Sequence, residues 1–221
     1  MRWVDRGPEP TGVAGYRREF TEGWVSHIRD RLGGRPTDSY WRQFRTELGR
    51  RFSGKCGYCE RRCEDAAEAG GLGPTVDHFR PISQSPRLTY RWSNWIFSCS
   101  RCNDEKADKW QVGGFVDPCA TAMSERPDEY FGYDARTGEI VPKAGLSDVD
   151  RHKALRTIAA IGLNKWDILI RRAEWIREIQ RQLMQAPFSE WATIFDHYTS
   201  EPAEYCGITR MFLSQYQRPA R

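Results

Sequence analysis

The sequence predicts an α+β protein: a small metal-stapled core of short strands and one helix, flanked by α-helical segments on its N-terminal and C-terminal sides. Two observations carry this. The first is a pair of Cys-x-x-Cys motifs, Cys56/Cys59 and Cys99/Cys102, since two close thiolate pairs supply the four ligands a tetrahedral structural Zn²⁺ takes. The second is the change of periodicity along the chain, from helical spacing before residue 52, through short β-like runs between 75 and 98, to long helical stripes after 147.

The elements follow in order, in three segments: 1–51, an N-terminal arm and helix; 52–118, the metal-bound core; and 119–221, a helical region. The arm opens on Gly7-Pro8-Glu9-Pro10 and carries a short helical pattern at Trp24, Ile28 and Leu32, as if to pack on something else. After Pro36, Thr37 or Asp38 can cap a helix whose apolar residues Tyr40, Trp41, Phe44, Leu48 and Phe52 recur at helical spacing until Gly54. In the core, Gly70 to Pro74 reads as a loop, Thr75 to Arg80 as a strand stopped by Pro81, Trp95 to Ser98 as a second strand, and Ser100 to Lys109 as a helix. Farther on, Ser147 with Asp150 resembles a capping box, Gly162 a C-cap, and Asn164 the cap of a helix with Trp166, Leu169, Ile170, Ala173, Ile176, Ile179 and Leu183 on one face. Short helices around Trp191 to Tyr198 and Ile208 to Tyr216 close the chain.

Composition narrows the class. The chain has 221 residues, 39% of them hydrophobic, enough for a real core. No apolar run approaches the ~20 residues of a membrane span, and Met1 to Arg6 lacks the apolar stretch of a signal peptide. A cytoplasmic, reducing location is expected, in which the seven cysteines serve as metal ligands and thiols, not disulfides. Cys63 is close enough to Cys59 to compete as a ligand, but two matched pairs make the simpler site. The net charge of +4 is modest, but from Arg42 to Arg62 seven cations (Arg42, Arg45, Arg50, Arg51, Lys55, Arg61, Arg62) face two anions (Glu47, Glu60). Such a patch beside the first cysteine pair suits phosphate contact.

Between the cysteine pairs lie residues suited to phosphodiester hydrolysis, which needs an activated water and a cation to neutralise charge on the phosphate and leaving oxygen. His78 has the side chain of a general base. Asp77 and Asn103 offer hard oxygens suited to Mg²⁺ or Mn²⁺, a role closed to a zinc saturated by four cysteines. Neighbours on a strand point to opposite sides, so Asp77 and His78 share one phosphate only where the strand twists or ends. Asn94 has an amide oxygen able to accept the His78 ring N–H and orient it. Lys106, one turn after Asn103, is a candidate phosphate contact, with Arg80 or Lys109 as weaker ones. His27, His152 and His197 fall in predicted helices without ligand partners, which favours surface or packing roles.

Cys56-Gly-Tyr-Cys59, Val76-Asp77-His78-Phe79-Arg80-Pro81, Trp92-Ser93-Asn94-Trp95 and Cys99-Ser-Arg-Cys102-Asn103 with Lys106 together resemble the HNH endonucleases of the ββα-metal fold. The resemblance covers about residues 52 to 110. It implies His78 as base, Asp77 and Asn103 on the catalytic metal, Asn94 as the orienting residue, and cleavage of DNA to a 5′-phosphate and a 3′-hydroxyl. A looser similarity, in Arg6 to Pro10 with Tyr16-Arg17 and in Ile161 to Asn164 with Arg171 and Arg172, looks like the PtuB-like HNH proteins of Septu and retron antiphage systems. That similarity implies an effector nuclease with an ABC or SMC-like ATPase partner (PtuA-like). Two alternatives stand beside it: a ribonuclease, for instance one cleaving transfer RNA, and a zinc-stabilised nucleic-acid-binding or scaffold protein without activity.

Overall fold

The computed structural model describes residues 1–37, 39–63 and 73–214. The expected cap at Asp38, most of the Gly70 to Pro74 loop and the end of the last expected helix at Tyr216 lie outside the described residues. The chain divides into two compact units, one of Val4–Cys56 with Cys63–Gly114, the other of Met1–Trp3, Gly57–Arg62 and Phe115–Arg221. These units cut the chain differently from the three segments read from the sequence: residues 4–51 of the expected arm and helix fall in one unit with most of the core.

In the first unit, helix α1 (Val13–Val25) runs into a π-helical turn, Ser26–Asp30, which ends at Arg31 in the left-handed region. A 3-10 turn, Tyr40–Phe44, leads into the short helix α2 (Arg45–Arg51). The continuous helix expected here is therefore split, and no side-chain cap bond starts the 3-10 turn. The arm belongs to this unit's own packing: Arg6 Nη1 donates to the Ser93 carbonyl at 2.6 Å and the Trp92 indole N–H to the Gly7 carbonyl at 3.1 Å.

Strand β1 (Pro74–His78) pairs antiparallel with β2 (Trp95–Cys99), and helix α3 (Ser100–Lys106) follows directly. The register sets His78 opposite Trp95 and Pro74 opposite Cys99. All of β2 is buried, with Trp95 and Ile96 fully enclosed. Phe44 meets Trp95 at 5.7 Å between ring centroids and Phe52 meets Phe97 at 6.3 Å. Gly49 lets α2 come this close, since a Cβ there would stand 3.0 Å from the Phe97 ring. Helix α3 stops before the expected Lys109 because Ala107 takes φ 44°, outside helical geometry.

The second unit is helical around one small hairpin. Helix α4 (Pro127–Tyr130) leads into β3 (Phe131–Asp134), which pairs antiparallel with β4 (Glu139–Pro142). This hairpin was not anticipated, although Asp134-Ala-Arg-Thr-Gly138 is a turn signal: the Asp134 carboxylate accepts the Arg136 N–H at 2.9 Å, and Gly138 holds φ 78°. Helices α5 (Asp148–Ile161), α6 (Trp166–Gln185), α7 (Trp191–Thr199) and α8 (Cys206–Leu213) complete it. Ser147 caps α5 by accepting the Asp150 N–H at 3.2 Å, and Gly162 ends it in the left-handed region, as the sequence predicts.

Asn164 does not cap α6. Its amide instead pairs with both backbone groups of Ile140, at 2.9 and 2.8 Å, extending the β4 edge. The buried stripe of α6 is Ile168, Arg172, Ile176, Ile179 and Leu183, whereas Trp166 is 76% exposed. Among the described residues no helix is long and apolar enough to cross a membrane.

Candidate active site

The Sγ atoms of Cys56, Cys59, Cys99 and Cys102 all lie within 4.8 Å of one another, and all four residues are buried. Four thiolates about 2.3 Å from a common centre stand a little under 4 Å apart, so the cluster has the dimensions of a tetrahedral metal site. Cys99 ends β2 and Cys102 sits in the first turn of α3, so the strand-to-helix junction itself carries one ligand pair. Cys63 is not a member of the cluster.

The same junction orders the chemistry. Strand β1 ends at His78, which resolves the alternation problem: at a strand's end, neighbouring side chains no longer need to face opposite sides. Asp77 and His78, with Asn103 from α3, line one cleft of about 760 Å³. Asp77 is 4% and His78 8% exposed.

His78 is anchored by Thr89, a residue the sequence did not single out. Nε2 lies 2.9 Å from the Thr89 carbonyl oxygen. A carbonyl can only accept, so Nε2 carries the proton and Nδ1 is the lone-pair nitrogen. Trp95 donates its indole N–H to the same oxygen at 2.8 Å. Trp41 stands edge-on to the imidazole, 4.8 Å between centroids at 90°. Burial pushes the His78 pKa down to about 4, although the bond to Thr89 and the Asp77 charge oppose the shift. The ring is therefore neutral at physiological pH, the form a general base requires.

Two expected roles are corrected. Asn94 does not hold the imidazole: its Oδ1 accepts the Arg80 N–H at 2.9 Å and its Nδ2 donates to the carbonyls of Arg80 at 3.0 Å and Leu88 at 3.4 Å. With the Phe79 N–H on the Asn94 carbonyl at 2.8 Å, it clasps the chain leaving β1. Lys106 does not reach into the cleft either. It is fully buried, with Nζ 3.0 Å from Asp77 Oδ1 and 2.8 Å from the His78 carbonyl oxygen. One cation thus fixes the Asp77 carboxylate and the end of β1 together. The weaker phosphate candidates are also engaged elsewhere: Arg80 lies over the Trp110 ring and Lys109 pairs with Glu105.

The basic patch is likewise divided. Of its seven cations only Arg42 and Arg45 line the cleft. Arg50 and Arg51 pair with Glu47, Lys55 is fully buried, and Arg62 donates to the Pro202 carbonyl. The cleft gains Arg35, His27, Ile28, Trp24 and Trp41 from the arm. His27, expected on a surface or in packing, therefore belongs to the cleft. Its spacing from Trp24 and Ile28 on one helical face was the only available signal.

Residues 56–109 match the family model of the HNH endonuclease. No curated protein matches the chain. The HNH segment contains the cysteine cluster, Asp77, His78 and Asn103, and suggests a nuclease. It leaves out residues before 56, which supply the arginines and tryptophans of the cleft.

Proposed function

We propose that the protein is a metal-dependent HNH endonuclease that hydrolyses DNA phosphodiester bonds, with Zn²⁺ held by the four cysteines as a structural staple. The observation that carries this reading is the neutral, tautomer-fixed His78 sharing one cleft with Asp77 and Asn103 inside a segment that matches the HNH endonuclease model. Mg²⁺ or Mn²⁺ held by Asp77 and Asn103 would supply charge neutralisation at the scissile phosphate and leaving oxygen. His78 Nδ1 takes the proton of the attacking water while Nε2–H stays on Thr89, so the ring does not rotate as it charges. Attack at phosphorus expels the 3′ oxygen and leaves a 5′-phosphate and a 3′-hydroxyl. Lys106 holds the Asp77 carboxylate in place through its 3.0 Å contact with Oδ1.

The effector role in an antiphage complex with an ATPase belongs to the same proposal, and its support is the resemblance of the flanking sequences. Several of those flanking residues have internal work: Arg6 and Gly7 tie the arm to residues 92–93, and Arg172 donates to the carbonyls of Gly138 and Leu163. Cleavage of plasmid DNA and of total transfer RNA, by wild type and His78→Ala, with and without Mn²⁺ and the neighbouring gene's product, tests the proposal. Divalent-dependent DNA cleavage lost in His78→Ala is expected. Cleavage of RNA alone would move the substrate to RNA, and equal behaviour of both proteins on both polymers would leave the binding or scaffold reading.

A further inference from the structure

The cleft has two unlike walls. One holds Asp77, His78 and Asn103; the other is built from the arm, by Trp24 and Ile28 around the π-helical turn and by Trp41 in the 3-10 turn. π-helical turns recur at functional sites. Trp24 is 3% exposed and serves as backing, 5.9 Å from Trp41 between ring centroids. Trp41 is partly exposed, and its indole reaches the His78 ring at 4.8 Å. Three exposed arginines, Arg35, Arg42 and Arg45, line the same space. Among the described residues the Arg42 guanidinium makes no ion pair, Arg35 lies over the Trp24 ring at 5.8 Å, and Arg45 makes one long bond of 3.4 Å to the Pro74 carbonyl.

A duplex hides its base faces within the stack and offers an enzyme only phosphates, sugars and groove edges. An aromatic wall beside the scissile position has nothing to stack on there. An unpaired strand exposes base faces, and aromatic residues set among cations are the usual way of holding it. The volume of about 760 Å³ falls in the range of small-ligand pockets, room for one or two nucleotides.

We propose that Trp41, backed by Trp24 and flanked by Arg35, Arg42 and Arg45, forms a subsite for an unpaired nucleotide next to the scissile phosphate, and that the substrate is an unpaired DNA strand. This rests on the nuclease reading of the same cleft. None of the five residues lies within the segment that matches the HNH model.

The test is fluorescence anisotropy of a labelled 20-nucleotide DNA single strand, its duplex and the RNA of the same sequence, with no added divalent ion, followed by cleavage of each with Mn²⁺. The single strand should bind at least tenfold tighter than the duplex and be cut faster. Trp41→Ala should weaken single-strand binding roughly tenfold and change duplex binding less than twofold, Trp41→Phe should keep most of the affinity, and Arg42→Ala should weaken both polymers. Duplex bound or cut as well as the single strand, or Trp41→Ala affecting both alike, overturns the subsite and leaves the nuclease reading intact. Trp41-dependent single-strand binding without cleavage of any polymer supports the subsite and removes the nuclease reading. A strong preference for the RNA strand overturns the assignment to DNA.

Discussion

Two antiparallel hairpins of the same chain are held in register by different means. In β3–β4 the strands are joined by residues 135–138, and the turn sets the pairing locally through the Asp134 carboxylate and the positive φ of Gly138, with Asn164 and Arg172 bracing β4 and the turn from outside. Its burial alternates along β3, as expected for strands with one wet face. In β1–β2 the strands are separated by residues 79–94 and β2 is buried throughout, so no turn sets the register and no polar face reports it. Long-range ties do that work instead: the cysteine cluster at one end, and at the other the Lys106 bonds to Asp77 and to the His78 carbonyl, with the Asn94 clasp on Arg80. Asp77 and His78 sit on the hairpin that depends on distant contacts, and Asn103 on the helix that follows it. A site that must hold a carboxylate, an imidazole and an amide in one cleft gains rigidity from such ties, and becomes vulnerable to their loss.

The largest expected effect is removal of a cysteine ligand. Structural zinc sites supply on the order of 10 kcal/mol to folding, so Cys99→Ser, or chelation, should strip hydrogen-exchange protection from β1 and β2 amides while those of β3 and β4 persist. Equal loss of protection in both hairpins would break the contrast drawn above. Next comes Lys106→Met, which leaves the Asp77 carboxylate buried without its cation and should cost about 3–5 kcal/mol in urea unfolding. Asp77→Asn added to it should recover part of that stability and none of the cleavage.

The pH dependence of stability sharpens the contrast at one residue. Unfolded His78 takes a proton near 6.5, and the folded ring refuses it until about 4. Between those values the unfolded state binds more protons, so the contribution is complete above pH 6.5 and is lost as pH falls toward 4. It amounts to about 3 kcal/mol. Urea titrations at pH 7 and pH 4.5, with no added divalent ion, should show this loss in wild type, and His78→Asn should flatten it relative to wild type. The smallest effect is expected at the locally fixed hairpin: Gly138→Ala, strained at φ 78°, should cost about 1 kcal/mol in the same titration and leave nuclease activity unaltered. A larger loss would mean that the turn carries more of the β3–β4 pairing than one strained residue accounts for.

How far the sequence was legible follows the same division. Local chemistry read well: the two Cys-x-x-Cys pairs, the strands flanking the site, the Ser147 cap and the Gly162 C-cap all depend on residues close in the chain. Misreadings arose where a polar group's partner is distant. Asn164 looked like a helix cap because asparagine before a helical run usually is one, but Ile140 competes for its amide. Asn94 and Lys106 were assigned other partners, since Arg80, and Asp77 with the His78 carbonyl, became visible only once the chain was folded.

The sequence by itself determined the four-cysteine set that could hold a metal, the mixed α and β character and the choice of Asp77, His78 and Asn103 as candidate chemistry, because spacing and residue type suffice for these. Only the tertiary structure decided that Thr89 fixes the imidazole tautomer, that Lys106 is a buried clamp, and that Trp41 and the arginines of the arm face the same cleft. The physical reason is that a backbone carbonyl has no sequence signature, and burial alone decides whether a lysine meets solvent or a carboxylate.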